Sequence, residues 1–282
     1  MASLRGSLAS ALNFRRVQLD ARQFWDPRRV AEERRRSIAA LFRSLLPDIN
    51  TLRDASALDL GCGEGGGVLA LRDAGAKSVL GIDLAADRIA VANELVANDL
   101  SCTCRVGDGE RIGVADASFD FVLCCEILEH VRCPRSFLIE VARVLRPDGA
   151  ALITFPSFAS VTGPHLWHLV NIPFGQYLLG LDAVREAAAV ALRGAGQACD
   201  GTWDPLNRIT IRSFRRILAQ VPDLSIQLMR VHSRFLPMKP LSRLPMINDL
   251  AGDSVRALLR RRRASCLQGS PGGSTHHRRT AS

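Results

Sequence analysis

Residues Ala57–Gly67 read A-L-D-L-G-C-G-E-G-G-G, and this stretch decides the fold. Ala57–Leu60 is a short apolar strand carrying one acid, Asp59. The backbone then turns through Gly61, Gly63, Gly65, Gly66 and Gly67. Val68, Leu69 and Leu71 follow at helical spacing. Glycine lets a backbone approach a ligand closely and adopt positive φ. A helix opening beside it aims free N–H groups at that ligand and favours negative charge there. A strand-to-helix turn without a ligand would need fewer glycines than five in seven residues.

Working outward, strand and helix alternate. Asp26-Pro27 has the form of an N-cap with proline at the first helical position, and Val30, Ile38, Leu41, Phe42 and Leu45 continue at helical spacing until Pro47. After the glycine turn, strands are predicted at 78–82, 101–106, 119–124 and 150–155, with helices at 87–98 and 134–145 between them. This alternation argues for a parallel sheet covered on both faces. Residues 161–201 break the rhythm; the segment is too long for a plain loop and reads as a helical lid insertion. A helix at 210–220 and a strand at 224–231 come next. Residues 254–259 fit either a strand or a short helix, and Arg260–Arg263 with the tail beyond them read as disordered. The expected division is an N-terminal cap helix region (1–50), a cofactor-binding core (51–160), a lid (161–204), the rest of the core (205–263) and a disordered tail (264–282).

The 282 residues carry a formal charge of +9, unevenly spread. Residues 57–160 hold nine basic and fifteen acidic side chains, leaving 28 basic and 13 acidic in the flanks. An acidic core suits a cationic ligand; basic flanks suit an anionic substrate, a membrane surface or nucleic acid. The eight cysteines include no C-x-x-C pair, which argues against structural zinc. No secretory leader or 18-residue apolar run is visible, so a cytoplasmic protein, with membrane contact at most peripheral, is expected.

In an open α/β sheet, ligands bind outside the carboxyl ends of the strands. Asp83 ends the second predicted strand, Asp108 follows the third and Glu126 the fourth. A carboxylate at Asp83 suits the two hydroxyls of a ribose, and one at Asp108 suits an adenine amine. Together they point to an adenosine-containing ligand. Gly61, Gly63 and Gly66 also satisfy the dinucleotide pattern G-x-G-x-x-G, so the glycines alone leave a nicotinamide dinucleotide in play.

The blocks as a set are more specific. L-D-L-G-C-G-E-G-G, G-I-D-L with Asp83, G-D-G with Asp108, F-D-F-V-L-C-C-E-I-L-E-H-V, and V-A-R-V-L-R-P-D-G-A-A-L-I-T-F-P occur in order over 57–156. They resemble the motifs of class I S-adenosylmethionine-dependent methyltransferases, closest to the type-11 branch. The resemblance implies a Rossmann-like, doubly wound α/β fold with a seven-stranded, mostly parallel sheet. It implies that Asp59, in the first motif, is a cofactor-binding residue, and that Gly61, Cys62 and Gly63 meet the methionine part of S-adenosylmethionine. It further implies Asp83 on the ribose, Asp108 with Gly109 at the adenine, and Cys125 and Glu126 beside the sulfonium. His130 is the candidate general base. Glu126-x-x-Glu129-His130 also resembles the Mg²⁺-binding E-x-x-E-H of ubiquinone-pathway and small-RNA methyltransferases. The further ligands of those families have no match here, so no metal site is assigned.

Acceptor recognition is expected from the lid, with His165, Trp167, His168, Phe174 and Tyr177 as an apolar wall and Asn207-Arg208 for a polar or anionic group. The acceptor class is a small molecule or a lipid- or glycan-linked one. No basic patch interleaved with aromatics points to nucleic acid. The competing functions are an NAD(P)-dependent oxidoreductase and a cofactor-binding partner subunit without transfer.

Overall fold

The computed structural model describes residues 26–46, 48–163, 166, 169–194, 207–233, 249–250 and 252–263. The readings above for 1–25, His165, Trp167, His168 and the tail from 264 fall outside these residues.

Helix α1 (Pro27–Leu45) starts where expected: the Asp26 carboxylate accepts the Arg28 N–H at 3.0 Å. Then come β1 (Ser56–Leu60), α2 (Gly66–Asp73), β2 (Ser78–Asp83), α3 (Ala86–Val96), β3 (Cys102–Val106), β4 (Phe119–Cys125), α4 (Pro134–Val144) and β5 (Leu145–Pro156). The insertion contributes α5 (Gly175–Leu178) and α6 (Leu181–Gly194). Helix α7 (Ile211–Leu218), β6 (Leu224–His232) and β7 (Ser254–Arg261) complete the chain.

The central strands are buried on both faces, so successive side chains feed opposite layers. Val122 and Cys124 join Leu58, Leu60, Phe137 of α4 and Phe214 of α7. Phe121 and Leu123 point the other way, to Ile38 and Phe42 of α1, Leu71 of α2 and Ile89 of α3. Phe42 meets Phe121 edge-on, with ring centroids 6.0 Å apart.

The sheet order is β3-β2-β1-β4-β5-β7-β6, parallel except for β7, which is antiparallel to both neighbours. The carboxyl ends of β1 to β5 therefore lie along one edge, at Leu60, Asp83, Val106, Cys125 and Pro156. A dinucleotide fold orders its strands 3-2-1-4-5-6. The antiparallel β7, set between β5 and β6, separates this sheet from that fold.

One open reading is resolved and one changes. Residues 254–259 are a strand, and it continues through Arg260 and Arg261, which pair across Ala150 and Leu224. The four arginines are thus not a disordered run. Arg260 bonds Gln227 and the Asp148 carbonyl at 2.8 Å, Arg263 bonds the Asp148 carboxylate, and the Arg262 N–H bonds the Asp223 carbonyl. Val255, Ala257, Leu258 and Leu259 are buried by sheet neighbours distant in sequence, which overrides the helix-compatible local pattern. The insertion carries its own apolar cluster of Leu166, Leu169, Val170, Ile172, Val184, Ala187 and Ala188. It is tied to the core by Gln176, whose amide donates to the carbonyls of Phe158 and Ser160 at 2.9 Å.

Candidate active site

The glycine turn follows directly from the end of β1. The N–H groups of Gly61 and Cys62 both donate to the Ile82 carbonyl, at 2.8 and 3.1 Å, which pins the turn to β2. Gly63 sits at φ +50°, and a Cβ placed there would meet nothing within 4 Å. That is open space beside a left-handed backbone, the form of a ligand-facing turn. Gly66 is glycine for a different reason. A Cβ there would lie 2.4 Å from the Ala31 carbonyl oxygen and 2.7 Å from Arg34 Cβ, so α1 rests directly on the start of α2. Cys62 is buried and its thiol turns inward to the Cys104 thiol, so it offers the open side its backbone alone.

Asp83 is the latch of the site. Its Oδ2 accepts the Gly63 N–H at 2.9 Å and its Oδ1 the Ala85 N–H at 2.9 Å. A carboxylate accepts about four hydrogen bonds, so each oxygen keeps capacity for a ligand hydroxyl. Leu84, next to it, is 71% exposed, an apolar surface on the ligand edge that the sequence reading passed over. Asp108 accepts the Glu110 N–H at 2.8 Å, and Arg132 approaches it at 3.6 Å. Its capacity for an adenine amine is therefore already part-used. Gly109 packs against Phe137, 3.0 Å from where its Cβ would stand.

Asp59 lies behind the turn rather than on its open side. It is 2% exposed, takes a hydrogen bond from the Val68 N–H, and has its Oδ2 buried without a hydrogen-bond partner. Burial pushes its pKa up to about 7; Arg34 pulls it down and Asp83 adds to the rise. An acid whose folded pKa is raised binds its proton more tightly in the fold than in the unfolded chain. Its stabilising effect is complete below pH ~4 and is lost as pH rises from there through about 7, on the order of 4 kcal/mol at full effect. The Asp59→Asn variant should therefore gain stability relative to the parent as pH is raised from 5 to 8, read in urea melts. A difference that stays flat with pH would contradict this.

The rim is completed by the loop after β4. Glu126 adopts φ +58°, and its N–H and Oε1 engage Thr154 of β5, at 3.0 Å to the carbonyl and 3.1 Å from the hydroxyl. Thr154 also reaches Cys125 Sγ at 3.3 Å. His130 Nε2 lies 3.8 Å from Oε1 of the buried Glu129. Among the described residues no group of three or more His, Cys, Asp or Glu is arranged to hold a metal ion. Asn207 faces away from this rim: its amide donates to the carbonyls of Leu128 and Val131 at 2.7 and 2.8 Å, so it staples the loop.

Sequence reasoning missed Arg34. It comes from α1, donates to Cys125 Sγ at 3.7 Å, and its charge bears on Glu126 and Asp59. Protein atoms crowd the guanidinium, yet the residue keeps open surface, as a group lining a cleft does. A signal was present: Arg34 falls at helical spacing between the buried Ala31 and Ile38 of α1, in line with the core-facing stripe, where a charge needs a purpose.

An open α/β sheet of this order, with the glycine turn and Asp83 on its carboxyl edge, defines a Rossmann-like methyltransferase fold. Comparison with known proteins agrees. A family model described as a methyltransferase domain matches residues 58–153. The chain is similar to a ubiquinone biosynthesis O-methyltransferase of Methylococcus capsulatus, 31% identical over 163 residues, covering 56% of this chain and 65% of the relative. It is also similar to a sterol 4-C-methyltransferase of Caenorhabditis elegans, 26% identical over 133 residues, covering 46% and 40%. Among solved structures, a chain of the Haloferax volcanii complex with the Trm112 methyltransferase activator superposes with TM-score 0.57 at 16% identity, covering 87% of this chain and 98% of that one. The Bacillus YcgJ protein gives 0.51 at 16%, covering 82% and 100%. Those two likenesses speak for the fold alone. The chain spans about half the length of the relatives it matches, from 37% to 65%. Residues 58–153 thus match a methyltransferase domain, and the chain is similar to class I S-adenosylmethionine-dependent methyltransferases.

Proposed function

We propose that the chain transfers a methyl group from S-adenosylmethionine to a small or lipid-linked acceptor. The observation that carries this is Asp83, which holds the Gly63 N–H beside open space at the carboxyl edge. The residues present fit the cofactor. The backbone of Gly61–Gly63 suits the amino-acid part, Arg34 its carboxylate, Asp83 the ribose, and Asp108 with the exposed Leu84 the base. Cys125 and Glu126 border the end where the sulfonium belongs. When bound, the cofactor supplies an electrophilic methyl on a cationic sulfur, which the acidic core suits. The chain's contribution is alignment, worth up to ~7–11 kcal/mol in well-oriented cases. His130 is part-exposed beside Glu129 and takes the acceptor's proton at Nε2 in this reading. The division into cap helix, core 51–160, insertion 161–204 and closing part of the core 205–263 belongs to the same proposal.

Relatives named for ubiquinone and sterol methylation support an acceptor with an apolar body. No helix among the described residues is long and apolar enough to cross a membrane. The arginines at 260, 261 and 263 bond within the protein at the edge opposite the site. The test is incubation with methyl-labelled S-adenosylmethionine and a panel of phenols, catechols, carboxylic acids and sterols. Label in at least one acceptor, reduced in His130→Ala, is expected. A protein that binds the cofactor and labels none would support the partner-subunit reading instead.

A further inference from the structure

Arg208 stands where the loop after β4 meets the segment after β5. Asn207 fixes it there: its N–H donates to the Glu129 carbonyl at 2.9 Å, and its side-chain oxygen accepts the Ile209 N–H at 3.1 Å. The Ile209 carbonyl in turn accepts the Phe158 N–H at 2.8 Å. Between these anchors Arg208 adopts φ +56°, a left-handed backbone that costs a non-glycine residue about 1–2 kcal/mol. Such strain persists where the surroundings over-determine it, and it collects at functional sites. The guanidinium lies over the Phe158 ring, 5.8 Å from its centroid, and Tyr177 meets the same ring edge-on at 5.9 Å. Arg208 is exposed, and no carboxylate among the described residues pairs with it. A cation with no carboxylate partner among the described residues is held in place, beside two aromatic rings, by the same loop that carries His130.

Building on the methyltransferase reading, we propose that Arg208 is a specificity-determining residue that binds an anionic group on the acceptor, whose apolar body packs on Phe158 and Tyr177. The acceptor is then an acid of the aromatic or acyl type, not a neutral sterol or amine. Cation–π contact keeps the guanidinium oriented while leaving its N–H donors for a planar anion.

The probes are 4-hydroxybenzoate and 4-hydroxybenzamide, alike in shape and different in charge. Each is titrated calorimetrically into the full chain, with and without S-adenosylhomocysteine. The benzoate should bind at least tenfold tighter than the amide. Arg208→Gln should erase the preference while the amide affinity stays unchanged, and Arg208→Lys should restore part of it. S-adenosylhomocysteine affinity should be the same in all three proteins. Equal binding of the probes, no binding of either, or a preference that survives Arg208→Gln overturns the assignment. Failure of the wild type to bind S-adenosylhomocysteine defeats the cofactor reading separately, since the charge preference is also measured without it.

Discussion

Replacing Asp83 by alanine is expected to weaken S-adenosylmethionine binding about a hundredfold or more. Two ribose hydroxyl bonds to a carboxylate contribute ~1.5–3 kcal/mol each, and ~3 kcal/mol is about two decades of affinity. The structure adds a second cost. Asp83 also accepts the N–H groups of Gly63 and Ala85, so its loss frees the glycine turn. Two such bonds to a part-exposed carboxylate place the stability loss at about 1–2 kcal/mol. Asp108→Ala should cost less affinity, because that carboxylate already serves Glu110 and Arg132. Calorimetry and urea melts on the same samples separate the two effects. Normal binding by Asp83→Ala would leave the fold standing and overturn the placement of the ribose.

The glycines offer a second contrast of similar size. Gly66→Ala drives a methyl into the Ala31 carbonyl, where backbone cannot yield cheaply. Overpacking costs typically 1–3 kcal/mol, and the value here should reach the top of that range. Lifting α1 from α2 also disturbs the packing of Ile38 and Phe42 and displaces Arg34. Gly63→Ala should behave oppositely. Its Cβ meets no protein atom, so the stability cost is the left-handed backbone alone, about 1 kcal/mol. Its methyl occupies the space assigned to the cofactor, so binding should fall at least a hundredfold. If both variants lose stability equally, or if Gly63→Ala binds normally, the open side of the turn has been misplaced.

The contrast shows which parts of the site could be read from residues alone. The glycine turn, Asp83 and the alternation of strands are local patterns, so their positions were legible. The helical start at Asp26-Pro27 was legible for the same reason. Strand β7 was not, because its burial comes from β5 and β6, which meet it only in the folded sheet. Arg34 reaches the rim from a helix 91 residues away from Cys125 in sequence. Asn207 likewise has a side chain that suits a ligand, but its partners are the carbonyls of Leu128 and Val131. Asp59 was placed with the cofactor-binding residues by its motif, and only the packing shows it behind the turn.

The central claim is that this edge of the sheet takes the adenosyl-sulfur cofactor. Calorimetric titration of the wild-type chain with S-adenosylhomocysteine, and separately with NAD, tests it most directly. Saturable one-to-one binding of S-adenosylhomocysteine, with NAD binding absent or at least a hundredfold weaker, is the predicted result. NAD binding without S-adenosylhomocysteine binding, in a protein shown to be folded by its melting transition, would contradict it.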